Sequence, residues 1–564
     1  MLIDKLLWGR NEQDVIKRKV ISACALFEHL GFDSEVSEQR QYVTENICKI
    51  NNEDFYEACQ YFIDRGILDV RGRFIRVTPQ PLAIRLTAEW WKNCPPERAY
   101  QIVTSDMRNG MSEALCDQMA KLHFLPKAQE LTNSLCGEQA PFGQAEVLNS
   151  EKGSRLFRSL VEVNPRATAR ALYRVFGSMS IEELLQVGPG RRNLIWALEK
   201  LCFWEETFET ASKTLALFAA AENESWGNNA TGQFLQLFHF VLSGTQAPPE
   251  LRIRILDYCL ESQFPELRLL GVEALGHALQ THHFNRMIGV ERQGSRPIQQ
   301  EWRPKTWDEV FMYWRCTLER LTQIAVENCE EMSEKALELI AQNIRGLVSY
   351  GRVEEIEKSL RTITDENGPF WPSALGSIKD TIKFDGSKIP EEGLERLRKW
   401  AGWLQPDNFV DQIKLYVSIP KWDHEKEEDG HYIDISAEKA KEFALHTIEN
   451  NYDKLLDNLQ LVLTGEQRKG YIFGHEIGRL VKDSYSLLSK IISSLQEMAI
   501  KAKLDVNLSF VGGVLAAIQS NNRELVTNFL EGVSEDPNIN QFTIELTRFI
   551  NISNVSPHSN NAYN

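Results

Sequence analysis

Residue types that bind metals, move protons or attack carbonyls are present in this chain, but their spacing does not fit that work. His282-His283 stand together with no carboxylate or cysteine at ligand spacing, whereas a zinc site needs three or four such donors converging on one point. Asp423, His424, Glu428, Asp429 and His431 fall within KWDHEKEEDGHY, residues 421–432. They could collect a divalent ion, but a run of this composition reads first as a charged surface loop. In YIFGHEIGRL, His475-Glu476 begins the zinc-protease pattern H-E-x-x-H, and Arg479 stands where its second histidine belongs. No G-x-S-x-G elbow occurs, and no cysteine has a recognisable nucleophile context. The closest approaches to a phosphate loop, Gly188-Pro189-Gly190-Arg191 and Gly386-Ser387-Lys388, lack the spacing that wraps successive backbone amides around a phosphate. The reading is of a chain that is not an enzyme, holds no metal or cofactor, and binds no nucleotide on its own.

Recognition of another macromolecule is the better prospect. Residues 293–315, QGSRPIQQEWRPKTWDEVFMYWR, interleave Arg296, Arg303 and Lys305 with Trp302, Trp307 and Trp314. Tryptophan and arginine dominate the energetics of protein interfaces, so Arg296, Trp302, Arg303 and Trp307 are the candidate protein-binding residues. Trp307 and Trp314 lie seven apart on one helix, and Trp314 reads as core. Against 63 basic residues stand 79 acidic ones, a net charge of −16. That balance repels phosphate backbones and makes nucleic acid an unfavourable partner. The ten cysteines are scattered with no C-x-x-C, several among apolar neighbours as in EKLCFW, which reads as reduced core thiols in a cytoplasmic protein. The opening MLIDKLLWGRNEQD carries Asp4 and no uninterrupted apolar run, so no secretory signal and no membrane association are expected.

The elements that must position these residues are almost all helices. Over residues 1–91 the pattern gives a helix at 14–30 closed by Gly31, a second at 36–50, and a third at 52–64 with Phe55, Cys59 and Phe62 on one face. A hairpin of ILDV and RFIRV joined at Arg71-Gly72 comes next. Three helices and a hairpin make a winged helix. From 92 to 281 one amphipathic helix succeeds another: Phe208, Ala211, Leu215 and Phe218 share a face, Phe234, Leu237, Phe238 and Val241 another in a helix running to Gly244, and Pro265 opens a third with Leu267, Leu270, Ala274 and Leu279. Such a run suits an α-solenoid of divergent HEAT/TPR-like repeats. Residues 282–305 break it as a loop or insertion. Thr306 and Glu309 form a capping-box signature that restarts it, and 306–550 read as further helical repeats with an irregular stretch at 366–390. The tail 551–564 reads as disordered.

A winged helix that reads DNA puts donors on its third helix. Here that helix, NNEDFYEACQYFIDRG, presents Glu53, Asp54, Glu57 and Asp64, and residues 1–91 hold 12 basic against 14 acidic residues. Arg71, Arg73 and Arg76 sit beside the hairpin turn and could touch a backbone. The balance favours a bracket over a DNA reader.

The runs VISACALFEHLGF, FIDRGILDVRGRFIRVTPQPLAIRLTAEWW and RNLIWALEKLCFWEETFETASKTLALFAAAENESWGNNATGQFLQLFHFVLSGTQAPP resemble the part of bacterial STAND-type signal-transduction ATPases that lies after their nucleotide-binding module. The resemblance spans about residues 1–280. It implies a winged helix that helps restrain an ATPase core and helical repeats that sense a ligand, often a foreign protein in antiviral defence. The family's phosphate loop is missing from this chain, so an ATPase domain is expected in cis or in trans. Two other readings stay open: a winged-helix transcriptional regulator with a helical effector sensor, and a scaffold unrelated to ATPases.

Overall fold

The structure is a computed structural model that describes residues 2–8, 14–105, 107–282, 289–327, 329–419, 424–426, 432–500 and 505–550. The expectations for His283, Asp423, Glu428, Asp429, His431 and the tail 551–564 lie outside the described residues. The chain is mainly helical and divides into two compact units, residues 1–359 and 360–564.

The first unit begins with a helical module around a small sheet. Asp14 caps the helix Val15–Cys24. That helix is shorter than its apolar pattern predicts, because Leu30-Gly31 leave it to become the edge strand β1. A side chain at Gly31 would meet the Val36 carbonyl oxygen at 2.5 Å, so only glycine lets the next turn fold back here. The second predicted helix is Ser37–Tyr42 continued by a wider turn over Val43–Cys48. The third is Asn52–Asp64, capped by Asn51, with Phe55, Ala58, Cys59 and Phe62 buried. Strands β2 (Leu68–Arg71) and β3 (Phe74–Val77) pair antiparallel, and β1 joins them in the order β1-β3-β2. Gly72, at φ +58°, supplies the left-handed turn residue of the hairpin.

Helix Gln80–Asn93 fastens this module to the helices after it. Buried Thr87 bonds the Ala25 carbonyl, and Gln118 Nε2 reaches the same oxygen at 3.1 Å. The Glu28 amide donates to Ala114 O at 2.9 Å. Further along the chain, helices Glu151–Leu160, Pro165–Phe176, Arg191–Phe203, Glu205–Ala220, Pro249–Leu260, Pro265–Leu279, Trp307–Ala325 and Glu330–Ser349 each pack on near neighbours in sequence. That neighbour-to-neighbour pattern is consistent with a helical solenoid. One predicted helix is cut short: Ala230–Gln236 stops well before Gly244, and the turns that follow include Leu242 and Gly244 at φ +55° and +71°. The apolar face expected to continue to Val241 therefore ends, and Val241 is exposed.

The second unit has its own core, built around helices Gly470–Leu480 and Ser509–Gln519 and including Phe443, Phe473, Ile477, Phe510, Val514 and Phe529. Two readings of the sequence are corrected here. Residues 372–385 are a helix rather than irregular, with Pro372 at its first turn and Ala374, Leu375, Ile378 and Thr381 buried on one face. Within the charged segment 421–432, His424–Lys426 pairs antiparallel with Tyr432–Asp434, so that part is a short β pair rather than loop.

Candidate binding cleft

Of the segment 282–305, expected as a loop or insertion, residues 289–305 are a strap lying along the helical array. Gln293 is buried, giving Nε2 to Lys200 O at 3.0 Å while its Oε1 accepts from Trp204 Nε1 at 2.7 Å. Ser295 Oγ donates to Lys121 O at 2.8 Å and Arg296 Nη1 to Glu162 O at 2.6 Å. Further on, the Trp302 amide donates to Thr245 O at 2.8 Å. The strap thus takes up carbonyls at 121, 162, 200 and 245, one from each of several successive helical layers.

Two of the candidate protein-binding residues are consumed in this strap. The Arg296 guanidinium lies 5.3 Å from the Trp204 ring. Trp302 sits edge-on to Phe240, with ring centroids 5.4 Å apart, and covers the guanidinium of Arg252 at 5.3 Å. Arg252 is fully buried, donating from Nε to Ala247 O at 2.9 Å and from Nη1 to His239 O at 2.8 Å. It thereby holds the 239–247 turn in place, and burial lowers its pKa from the ordinary value. Arg303 and Trp307 remain at the surface, with Arg303 74% exposed and 3.7 Å from Glu301, and Trp307 58% exposed.

Trp307 stands at the mouth of a cleft of about 290 Å³. Thr306 and Glu309 form the capping box that the sequence shows, which fixes the first turn of helix Trp307–Ala325 and so the position of the Trp307 ring. That ring stacks on Phe311 at 5.6 Å and tilts against Tyr350 at 5.4 Å; Tyr350 meets the buried Trp314 at 5.3 Å. The opposite wall comes from the 239–241 turn and from Gln280, Thr281 and His282 after helix Pro265–Leu279. His277 Nδ1 lies 3.2 Å from His239 Nε2 beneath this wall. Burial, together with the neighbouring His277, pushes the pKa of His239 down to about 3, so its imidazole is neutral at physiological pH. Burial also lowers that of His277. None of the described residues lining the cleft is a carboxylate.

The fragments that suggested chemistry have structural uses. Arg191 of the Gly188–Arg191 stretch is fully buried, and its guanidinium donates to Phe218 O and Ala221 O, both at 2.7 Å, closing the end of helix Glu205–Ala220. Gly386–Lys388 is one short 3-10 turn. Glu476 pairs with Arg479 on the helix Gly470–Leu480. His282 lines the cleft, and among the described residues no group of three or more His, Cys, Asp or Glu is placed to hold a metal ion. All ten cysteines are free thiols, eight of them buried. Among the described residues no helix is long and apolar enough to cross a membrane. Sequence reasoning missed Tyr350, Val241 and His239 as cleft residues. They come from two segments, the 239–241 turn and the end of helix Glu330–Ser349, both remote in sequence from Trp307, and only Trp307 stood out in composition.

No protein-family model matches the chain, and neither does any curated protein sequence. Among solved structures, one described as an engineered protein aligns over 95% of this chain and 99% of its own, at 12% identity and a TM-score of 0.21.

Proposed function

We propose that this chain is a non-catalytic regulatory and binding arm: an amino-terminal winged helix serving as a bracket, continuous with an array of divergent helical repeats that docks a protein partner. The observation that carries the reading is the fate of the hairpin arginines. Arg71 and Arg76 both pair with Asp69, at 2.9 and 3.2 Å, and Arg73 pairs with Glu35. Charges neutralised within the module are poorly placed to meet phosphates. The exposed carboxylates of Glu53, Glu57 and Asp64 on the third helix add to this. Buried bonds from Thr87 and Gln118 to Ala25 join the module to the array, a coupling suited to passing a docking event to a neighbouring domain. The resemblance to STAND-type ATPases supplies the neighbour: a P-loop ATPase domain in cis or in trans, with antiviral defence as the setting.

The test is a capture experiment on the full chain. Immobilised on a support and washed at physiological salt, it is expected to retain a P-loop ATPase from lysate of its own cells, and to leave duplex DNA unshifted in a gel assay. A DNA shift that disappears on replacing Arg71, Arg73 and Arg76 with alanine would instead establish the transcriptional-regulator reading.

A further inference from the structure

We propose that the cleft beside Trp307 is a ligand site for a planar aromatic group carrying a carboxylate. This goes beyond the docking function and stands whether or not an ATPase partner exists.

Its walls are ring faces. Trp307 and Tyr350, both lining the cleft, are 58% and 40% exposed, and Trp314 lies against Tyr350. Such surfaces stack on planar groups, with offset or edge geometry setting the fit. Exposed tryptophan is costly to hydrate, and this one is held in place by its helix cap and by Phe311 rather than folded into the core.

Three of its polar side chains, those of Lys305, Trp307 and Trp314, can only donate, and none among the described lining residues can only accept. The Trp314 indole nitrogen is buried with no hydrogen-bond partner among the described residues, as are those of Trp8, Trp91, Trp371 and Trp400 elsewhere in the fold. Lys305 lines the cleft at an exposed position, and no ion pair engages it among the described residues. The Gln280 amide and Thr281 hydroxyl stand on the facing wall. With no carboxylate among the described lining residues, a cationic ligand would meet Lys305 with nothing to offset the repulsion. An anionic oxygen would find an ammonium group and neutral donors instead. Size narrows the class further. About 290 Å³ lies at the small end of ligand pockets, which run roughly 300–1,000 Å³. One or two fused rings with an acid group fit such a space, and a nucleoside triphosphate is too large for it.

Free aromatic acids and the carboxy-terminal aromatic residue of a peptide share this chemistry. Titration calorimetry on the full chain separates them, using indole-3-acetate, its neutral amide, tryptamine, and an acetylated tripeptide ending in phenylalanine with a free or amidated terminus. Indole-3-acetate is expected to bind with a Kd below about 1 mM, the amide at least about fivefold more weakly, and tryptamine more weakly still. Lys305→Gln should erase the preference for acid over amide. Trp307→Ala should abolish binding while shifting Tm by less than about 2 °C, since its ring is largely exposed. If only the free-terminus peptide binds, the ligand is a peptide end; if indole-3-acetate binds as well, it is the free acid class. Absence of heat with every probe at about 5 mM would overturn the proposal, as would equal binding of indole-3-acetate and tryptamine or binding unaffected by Trp307→Ala.

Discussion

Arg252 is a cation taken wholly out of water, answered among the described residues by two carbonyl oxygens and the face of Trp302 rather than by a direct ion pair. Such a group depends on its cover. Trp302→Ala removes both the ring packed on Phe240 and the shield over the guanidinium, so a loss of about 2–4 kcal/mol in a urea melt is expected. Trp302→Phe should recover most of it. Arg303→Ala, at a side chain 74% exposed, should change stability by less than about 0.5 kcal/mol. If Trp302→Ala costs nothing, the strap is not a structural part of the array. Residue by residue, the sequence shows what is costly and not where it goes. Trp302 and Arg296 are visible as groups that need a use, but their partners Arg252 and Trp204 lie 50 and 92 positions away, beyond the reach of any local pattern. Trp314 is legible as core because helical spacing ties it to Val310 and Leu318.

Local periodicity serves best for elements whose whole surroundings are local. The hairpin turn at Gly72, the capping box at Thr306 and the helix opened by Pro265 all stand where the pattern puts them. Helix Pro372–Asp385 is hidden in the sequence because its serines and glycine dilute an apolar stripe that is nonetheless continuous. A further signal overlaps the would-be protease motif. Gly470, Gly474 and Gly478 recur every fourth residue, which places them on one helix face. There the helix meets Ser509–Gln519 so closely that a side chain at Gly474 would stand 2.1 Å from Phe510 O, and one at Gly513 2.1 Å from Tyr471 O. Backbone atoms cannot step aside as a rotamer would, so Gly474→Ala is expected to cost at least about 2 kcal/mol by denaturant melt. Gly532 is the control. It lies in helix Arg523–Glu535 with nothing near its missing side chain, and Gly532→Ala should gain about 0.5–1 kcal/mol from helix propensity. Equal effects at the two glycines would refute close packing as the reason for the repeat.

At the scale of the molecule, the two units differ in what acid does to them. His239 and His277 face each other in the first unit, and burial, the largest cause for both, lowers their pKa values, that of His239 to about 3. In the unfolded chain a histidine titrates near about 6.5. Between those values the unfolded state binds a proton that the folded state refuses, so stability is flat above about pH 6.5 and falls as pH drops below it. For His239 alone the slope approaches about 1.4 kcal/mol per pH unit, and His277 acts in the same direction. Calorimetry at pH 7.5 and 5.5 should therefore show the transition that Trp302→Ala displaces moving down by a few degrees, in keeping with about 1–2 kcal/mol on a unit of this size. The core of the second unit, around Phe473 and Phe510, contains no such pair among the described residues, and its transition should move less. His239→Gln keeps a neutral polar group against His277 and removes the proton acceptor, so whatever its effect at pH 7.5, the further loss on going to pH 5.5 should shrink. An undiminished acid shift in that variant would place the responsible group elsewhere in the fold.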